Sequence, residues 1–422
     1  MLALACLAAL LLVAWSLLGL LLGRAARQIA VLRSAIGLDG CPAGAGSTPA
    51  VPGPLPSLSV VVTARDEAEE IGTTVSRLLA QRYPALEVIV VDDRSTDGTS
   101  EILDRLGAGP SGSRLATIHN RSLPRGWLGK CHACHLGALR ARGDWILFLD
   151  GDVELVADDL LARVVHLATT RHLDHLAVIP DQRPVSALQQ ALLSVFAQMY
   201  LLAARVYEMD RDKRRGGAGI GAFNLVRRSS YDRIGGHSLL KMDPTDDYAL
   251  GRLLKESGAR QRLFDGIGLV RCRWHKGALN VARGLEKNLF AGIDYSVTQL
   301  VGFTAASILL VFGPLAAGIA ASALAPPAGG AVPTAAIWLP FLLQAVVIAW
   351  GFRRQSRRYG GSAAVLSLLY PVAVLVLLGA AWNSALRTLV RGGIRWRDTF
   401  YPLAELRAGR VRAGAGRRFG VL

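Results

Sequence analysis

Cysteine is scarce in this 422-residue chain, with five residues, an odd number. That argues against the disulfide framework that staples small secreted domains. Aromatic residues are few as well, at 7%, so the 51% of hydrophobic residues is mostly Leu, Ala and Val. No basic residue precedes the first apolar run, so the n-region of a secretory signal is missing. The sequence shows no internal repeat. It also has no module that interleaves basic and aromatic residues, so nucleic acid is not an expected partner. Acidic residues are outnumbered, 32 against 48 Lys and Arg, for a formal net charge of +16. Without a nucleic-acid module, that excess points to anionic lipid, at about 1 kcal/mol for each basic residue near the surface.

What is present is apolar sequence in long runs. Residues 2–22 form 21 uncharged positions, and about 20 cross a bilayer. Arg24, Arg27 and Arg33 follow, and the positive-inside rule holds that flank in the cytoplasm. Residues 1–23 are therefore expected to be an uncleaved anchor with its N-terminus outside. Residues 24–57 read as a basic flank and a Gly/Pro linker, and 58–290 as a soluble-looking domain. Residues 291–386 form a membrane region with apolar segments at 298–324, 333–351 and 363–383, and 387–422 an Arg-rich tail. The uncharged loop PPAGGAVP belongs outside and FRRQSRRYGG inside. Three full crossings would leave the Arg-rich tail outside, against the same rule. Pro371, in the middle of the last segment, predicts a broken or re-entrant helix that returns to the cytoplasmic side.

Between residues 58 and 150, LSVVVTA, LEVIVVDD, RLATIHN and DWILFLD are short apolar runs ending in polar residues. Helical patterns separate them, which predicts an α/β fold with a mostly parallel sheet covered on both faces. Ligands of such sheets sit beyond the carboxyl ends of the strands. Those ends carry Arg65-Asp66-Glu67, Asp92-Asp93 and Asp150-Gly151-Asp152. Two carboxylates one residue apart, Asp150 and Asp152, converge on a hard cation such as Mg²⁺ or Mn²⁺; the competing reading is a surface turn. Asp246 and Asp247 open an amphipathic helix whose apolar face is Leu250, Leu253 and Leu254. There the competing reading is helix capping.

Cys131-His132-Ala133-Cys134-His135 spells C-x-x-C-H, the pattern of covalent haem attachment. A haem- or zinc-binding membrane redox protein is thus the rival class. Helical spacing brings Cys131, Cys134 and His135 near one another, so a metal site is geometrically open. Haem is attached on the other side of the membrane, however, and no second ligand cluster accompanies the run. The expectation is two small buried cysteines that function can spare, with Lys130 as the functional neighbour.

The ordered motifs VVVTARDEAEEI, VIVVDDRSTDGTSEIL, LPRGWLGKCHACHLGA, WILFLDGDVEL, GAFNLVRRSSYDRIGGH and TDDYALGRLLKESG resemble the family-two glycosyltransferases of GT-A fold, over residues 57–290. Within that family, the LP-x-GW-x-GK segment, the GGH segment and the terminal WRDTFY are similar to membrane enzymes that glycosylate hopenes, carotenoids and ceramide. The resemblance implies that Thr63, Arg65 and Glu67 hold the nucleoside and that Asp93 meets a uracil edge. It places Lys130 near the donor diphosphate, Asp150 at the ribose or sugar and at the metal, and Asp152 on the metal. Asp247 becomes the catalytic base, and Asp246 fills the Glu position of the family's T-E-D. The implied reaction is an inverting, metal-dependent transfer from a nucleotide sugar, UDP-linked, to a hydroxyl of a membrane lipid. The implied setting is the cytoplasmic face of the cell membrane; polyprenyl phosphate or polysaccharide is the alternative acceptor.

There are departures. Asp66 replaces the usual Asn, and Q-x-x-R-W is present only as Arg273-Trp274, which argues against processive synthesis. Lys287 is the candidate stand-in for a diphosphate-facing cation, and His275 reads as an ordinary polar residue. Trp396, Tyr401 and the adjoining arginines either close over the diphosphate or anchor at the membrane. Residues 186–208, apolar nearly all round, are either core or a bilayer-surface entry for a lipid.

Overall fold

The computed structural model describes residues 1–39, 51–210, 214–272, 277–324, 333–411 and 414. Arg273, Trp274, His275 and all of the PPAGGAVP loop except Pro333 lie outside the described residues.

The chain opens with α1 (Leu2–Gln28) and β1 (Ile29–Val31). Then come β2 (Leu58–Ala64), α2 (Ile71–Leu79), β3 (Leu86–Asp93), α3 (Thr99–Gly107) and β4 (Leu115–Asn120). The middle holds α4 (Gly129–Arg140), β5 (Trp145–Asp150), β6 (Val153–Leu155), α5 (Leu160–Thr170), β7 (His175–Ile179) and α6 (Ala187–Ala203). Next are β8 (Asn224–Arg227), α7 (Asp246–Glu256), β9 (Gln261–Asp265) and β10 (Val270–Cys272). The helices α8 (Ala278–Gly292), α9 (Val297–Ala323), α10 (Leu339–Tyr359) and α11 (Ala363–Arg391) follow. A hairpin of β11 (Gly393–Trp396) and β12 (Thr399–Pro402) comes last, before a helical turn at Leu403–Ala408.

Two compact units result. The first comprises Arg27–Arg183, Ala204–Trp274 and Arg395–Leu422; the second comprises Met1–Ala26, Pro184–Ala203 and His275–Ile394.

The first unit is built on an eight-stranded sheet of order β1-β9-β7-β8-β5-β2-β3-β4. Its pairings are parallel except those of β8, which runs antiparallel to β5 and β7. Interior strands of such a sheet are covered on both faces and so read as continuous apolar runs. Successive side chains of β2 and β3 go to opposite cores, as a period of two requires. Val60, Val62, Val88 and Val90 join the core that receives Ile71, Val75 and Leu78 of α2. Val61, Ile89 and Val91 join the core that receives Ala133, Cys134 and Ala138 of α4 and Leu250, Leu253 and Leu254 of α7. Small residues let α4 lie close to the sheet: a Cβ at Gly137 would sit 2.2 Å from a methyl of Val61. Ile29–Val31, from the basic flank, pairs in parallel with β9 as the edge strand.

In the second unit α1, α9, α10 with the turn before it, and α11 are each long and apolar enough to cross a membrane. Pro314 inside α9 removes the amide that would bind the Leu310 carbonyl. Trp15 Nε1 donates to that carbonyl at 3.0 Å, and Gln344 Nε2 donates to the adjacent Val311 carbonyl at 2.8 Å. The break expected at Pro371 does not occur: α11 runs unbroken through it to Arg391. In apolar surroundings each freed backbone group is costly, so the helix gives up one hydrogen bond instead of a turn of them.

Candidate active site

The register fixes the floor of the site. Thr63 at the end of β2 is paired with Asp150 at the end of β5, and Asp93 with Asn120 on β4. The first turn of α4 brings Lys130 to this edge, with Nζ 2.6 Å from Asp150 Oδ1. Desolvation works against its charge, but Asp150, Asp246 and Asp247 outweigh that and hold the ammonium well above the usual lysine range. Asp152 accepts from Cys272 Sγ at 3.3 Å. Desolvation, then Asp150, raises the Asp152 carboxyl. Desolvation, then Asp152, pushes Glu67 up to about 7, with Arg397 pulling the other way. Three half-buried carboxylates, Glu67, Asp150 and Asp152, thus crowd one another with excess negative charge. That oxygen donor set fits a hard divalent cation.

Asp247 enters from the first turn of α7. Its Oδ2 accepts from Gly221 N at 2.8 Å and its Oδ1 from Tyr248 N at 2.7 Å. Desolvation raises its carboxyl, against the pull of Lys130. Thr63, Lys130, Asp150, Gly221, Asp246 and Asp247 line one pocket. A Cβ at Gly221 would lie 2.8 Å from Asp150 Oδ2, 3.0 Å from Lys130 Nζ and 3.3 Å from Asp247 Oδ2. A methyl there would press on all three charged side-chain ends, which glycine lets meet.

Asp246, fully buried beside Asp247, has Oδ2 3.9 Å from His237 Nε2. Burial lowers His237 to about 3, so the ring is neutral, and its Nδ1 lies 2.8 Å from the Tyr231 hydroxyl. Cys134, His237 and Asp246 each offer a ligand atom within 4.8 Å of the others, a donor set suited to a soft metal ion. The C-x-x-C-H residues themselves are dispersed. Cys131 Sγ donates to the Asp243 carbonyl at 3.5 Å, and His135 stacks on Trp127 at 4.9 Å. Burial pushes both thiols up, so they stay protonated.

At the end of β3, Asp93 accepts from Arg94 Nη2 at 2.8 Å and Asn120 Nδ2 at 2.8 Å, with Arg65 Nη1 at 3.9 Å. The C-terminal hairpin joins this loop. Arg397 binds Asp66 and Glu67 at 3.1 and 3.2 Å, Arg65 binds Asp398 at 3.1 Å, and the buried Tyr401 hydroxyl accepts from Gly129 N at 3.3 Å.

The unit therefore gathers Thr63, Arg65, Glu67, Asp93, Lys130, Asp150, Asp152, Asp246 and Asp247 at one sheet edge. Lys287 lies on α8, in the other unit. Sequence reading did not single out Arg94, Asn120, Gly221 or His237, although Arg94, Gly221 and His237 lie within the quoted motifs. Arg397 was named there only among the arginines adjoining Trp396 and Tyr401.

Residues 59–235 match the family model described as Glycosyl transferase family 2. A 4,4'-diaponeurosporenoate glycosyltransferase of Staphylococcus aureus strain USA300 is 22% identical over 352 residues, 83% of this chain and 89% of the relative. The protein of that name from strain bovine RF122 / ET3-1 is 24% identical over 62% of this chain and 67% of its own length. Among solved structures, a mannosyltransferase from Pyrobaculum calidifontis, in complex with GDP-Man and Mn²⁺, is 18% identical. It covers 92% of this chain and 99% of its own, with a TM-score of 0.48.

Proposed function

Since residues 59–235 are a family 2 glycosyl transferase domain and the chain is a glycosyltransferase, we propose a donor, an acceptor and a stereochemical course. It moves a sugar from a nucleotide-sugar donor, UDP-linked, to a hydroxyl of a membrane lipid, with inversion at the anomeric carbon. The observation that carries this reading is the meeting of Lys130, Asp150 and Asp247 around the bare backbone of Gly221.

Each group has a task. Asp247, its proton affinity raised by desolvation, takes the acceptor hydroxyl's proton; a positioned base contributes about 10² to 10⁴ in rate. Lys130, fixed on Asp150, meets the negative charge that grows on the departing diphosphate. Asp150 and Asp152, with Glu67 beside them, would hold Mg²⁺ or Mn²⁺, which supplies Lewis-acid stabilisation of that same leaving group. Arg65, Thr63 and an Asp93 carboxylate fixed by Arg94 and Asn120 receive the nucleoside. One base and one attack from the face opposite the diphosphate invert the centre. Asp246 and the neutral His237 shape the acceptor side.

The lipid acceptor is supported by the relatives' name, which specifies diaponeurosporenoate, and by the chain's long apolar helices. The Arg24, Arg27 and Arg33 flank supports a catalytic unit on the cytoplasmic face. The test is to incubate membranes with a panel of labelled nucleotide sugars, with and without chelator, and analyse the lipid extract by mass spectrometry. Metal-dependent appearance of a glycolipid supports the proposal; label only in free sugar or polymer rejects the lipid acceptor.

A further inference from the structure

Among the described residues four helices are long and apolar enough to cross a bilayer, but contacts within the helical unit give them unequal roles. α1 and α9 run antiparallel: Ala8 packs with Ala317 and Ala321, while Trp15 reaches the Leu310 carbonyl. α10 runs parallel to α1, because Ile337, in the turn before it, joins Ala8. Farther along, a Cβ at Gly19 would meet a methyl of Val347 at 3.1 Å, and Arg354 binds the Ala26 carbonyl at 3.2 Å. Gln344 donates to Leu310 and Val311, so those residues share one level.

From that level, the start of α9 and the end of α10 lie in the same direction. Thr304 is about 9 Å away along α9 and Phe352 about 12 Å away along α10, at about 1.5 Å per residue. α11 touches both places. Tyr370 packs edge-on against Phe352 with ring centroids 6.3 Å apart, and Trp382 Nε1 donates to Thr304 Oγ1 at 3.0 Å. Tyr370 and Trp382 are about 18 Å apart along an unbroken helix. Were α11 parallel to its neighbours, its two contacts would differ in level by about that 18 Å. The partners differ by about 3 Å. α11 therefore runs nearly crosswise to α1, α9 and α10.

We propose that α11 is not a fourth crossing but lies in the plane of the membrane, in the leaflet where α9 begins and α10 ends. Its partner is the bilayer. Val365, Leu368, Val372 and Leu375 recur at three- and four-residue steps, Leu386 and Val390 continue the same stripe eleven residues on, and each is at least 44% exposed. That stripe faces acyl chains. The opposite face is covered: Gln190 of α6 donates to the Gly360 carbonyl just before α11, and Glu286 of α8 accepts from Asn383 and Arg387 near its end. Arg353, Arg354, Arg357 and Arg358 precede the helix and Arg387 and Arg391 end it, so both ends carry the charge that marks one side of a membrane. Chain connectivity agrees. The chain leaves the first unit at His275, before α8, and rejoins it at Arg395; two crossings in between, α9 and α10, return it to the side it left, and a third would not. The arginine-rich tail then lies on the basic side with no break at Pro371.

Variants of the full chain with one added cysteine test this, with Cys6 and Cys41 replaced by Ser and the buried Cys131, Cys134 and Cys272 kept, the parent without the added cysteine giving the background. Ser362→Cys and Arg391→Cys flank α11, and Leu324→Cys lies at the far end of α9. In vesicles of defined sidedness, an impermeant maleimide should label positions 362 and 391 from one side and 324 from the other. Labelling of 362 and 391 from opposite sides overturns the proposal. Spin labels at the exposed Leu368, Leu375 and Leu386 give an independent reading. Equal immersion depth agrees, whereas a depth that rises to a maximum and falls along the helix overturns it.

Discussion

Arg397 holds Glu67: its Nη2 lies 3.2 Å from Glu67 Oε1, across 330 residues of sequence, while its Nη1 takes Asp66 at 3.1 Å. The C-terminal hairpin is thereby tied to the Asp66–Glu67 loop after β2. Arg397→Ala should raise the donor KM about tenfold, the scale of one charge-assisted contact, with a smaller change in kcat. Arg397→Lys, which keeps the charge and loses the fork, should fall between. Steady-state kinetics on the labelled donor checks both, and an unchanged KM in the alanine variant removes the hairpin from the site.

Glu67 also sets a pH dependence. Its carboxyl is raised from 4.5 to about 7 in the fold, so the folded chain takes up a proton that the unfolded chain does not in that window. The cost of the buried charge is absent below 4.5 and fully present above about 7. In metal-free protein, Glu67→Gln should therefore melt higher than wild type at pH 8, and the difference should vanish toward pH 4.5. Parallel Tm curves for the two proteins would contradict the assignment.

Gly221→Ala should leave the fold intact and lower kcat about 100-fold, the effect of displacing reacting groups by about an ångström. A methyl there meets Asp150, Lys130 and Asp247 together. Circular dichroism and kcat measured on the same preparation separate misfolding from misplacement; full turnover would mean that the three groups need not converge.

Cys131→Ala with Cys134→Ala should keep transfer largely intact. Burial keeps both thiols protonated, and protonated thiols are poor nucleophiles, so neither should react with iodoacetamide in the native protein. Lost transfer in the double variant, or stoichiometric zinc in the wild type, would return C-x-x-C-H to a functional role.

Much of this was legible in the sequence. The strands Leu58–Ala64 and Leu86–Asp93 stood out because strands covered on both faces must be apolar throughout, and their polar ends named Glu67, Asp93 and Asp150. Gly221 did not stand out, because it matters through Lys130 and Asp150, far along the chain, and the role of Arg397 rests on Asp66 and Glu67, some 330 residues away. Pro371 misled for a different reason. Proline breaks helices where water can take the freed carbonyl, and here an apolar setting keeps the helix whole.

The central claim is that Asp247 takes the acceptor's proton. Its most direct test is the single-turnover transfer rate of Asp247→Asn in membranes saturated with nucleotide sugar, conditions that leave donor binding out of the rate. The account predicts a loss of about 10² to 10⁴. A rate near wild type would contradict it.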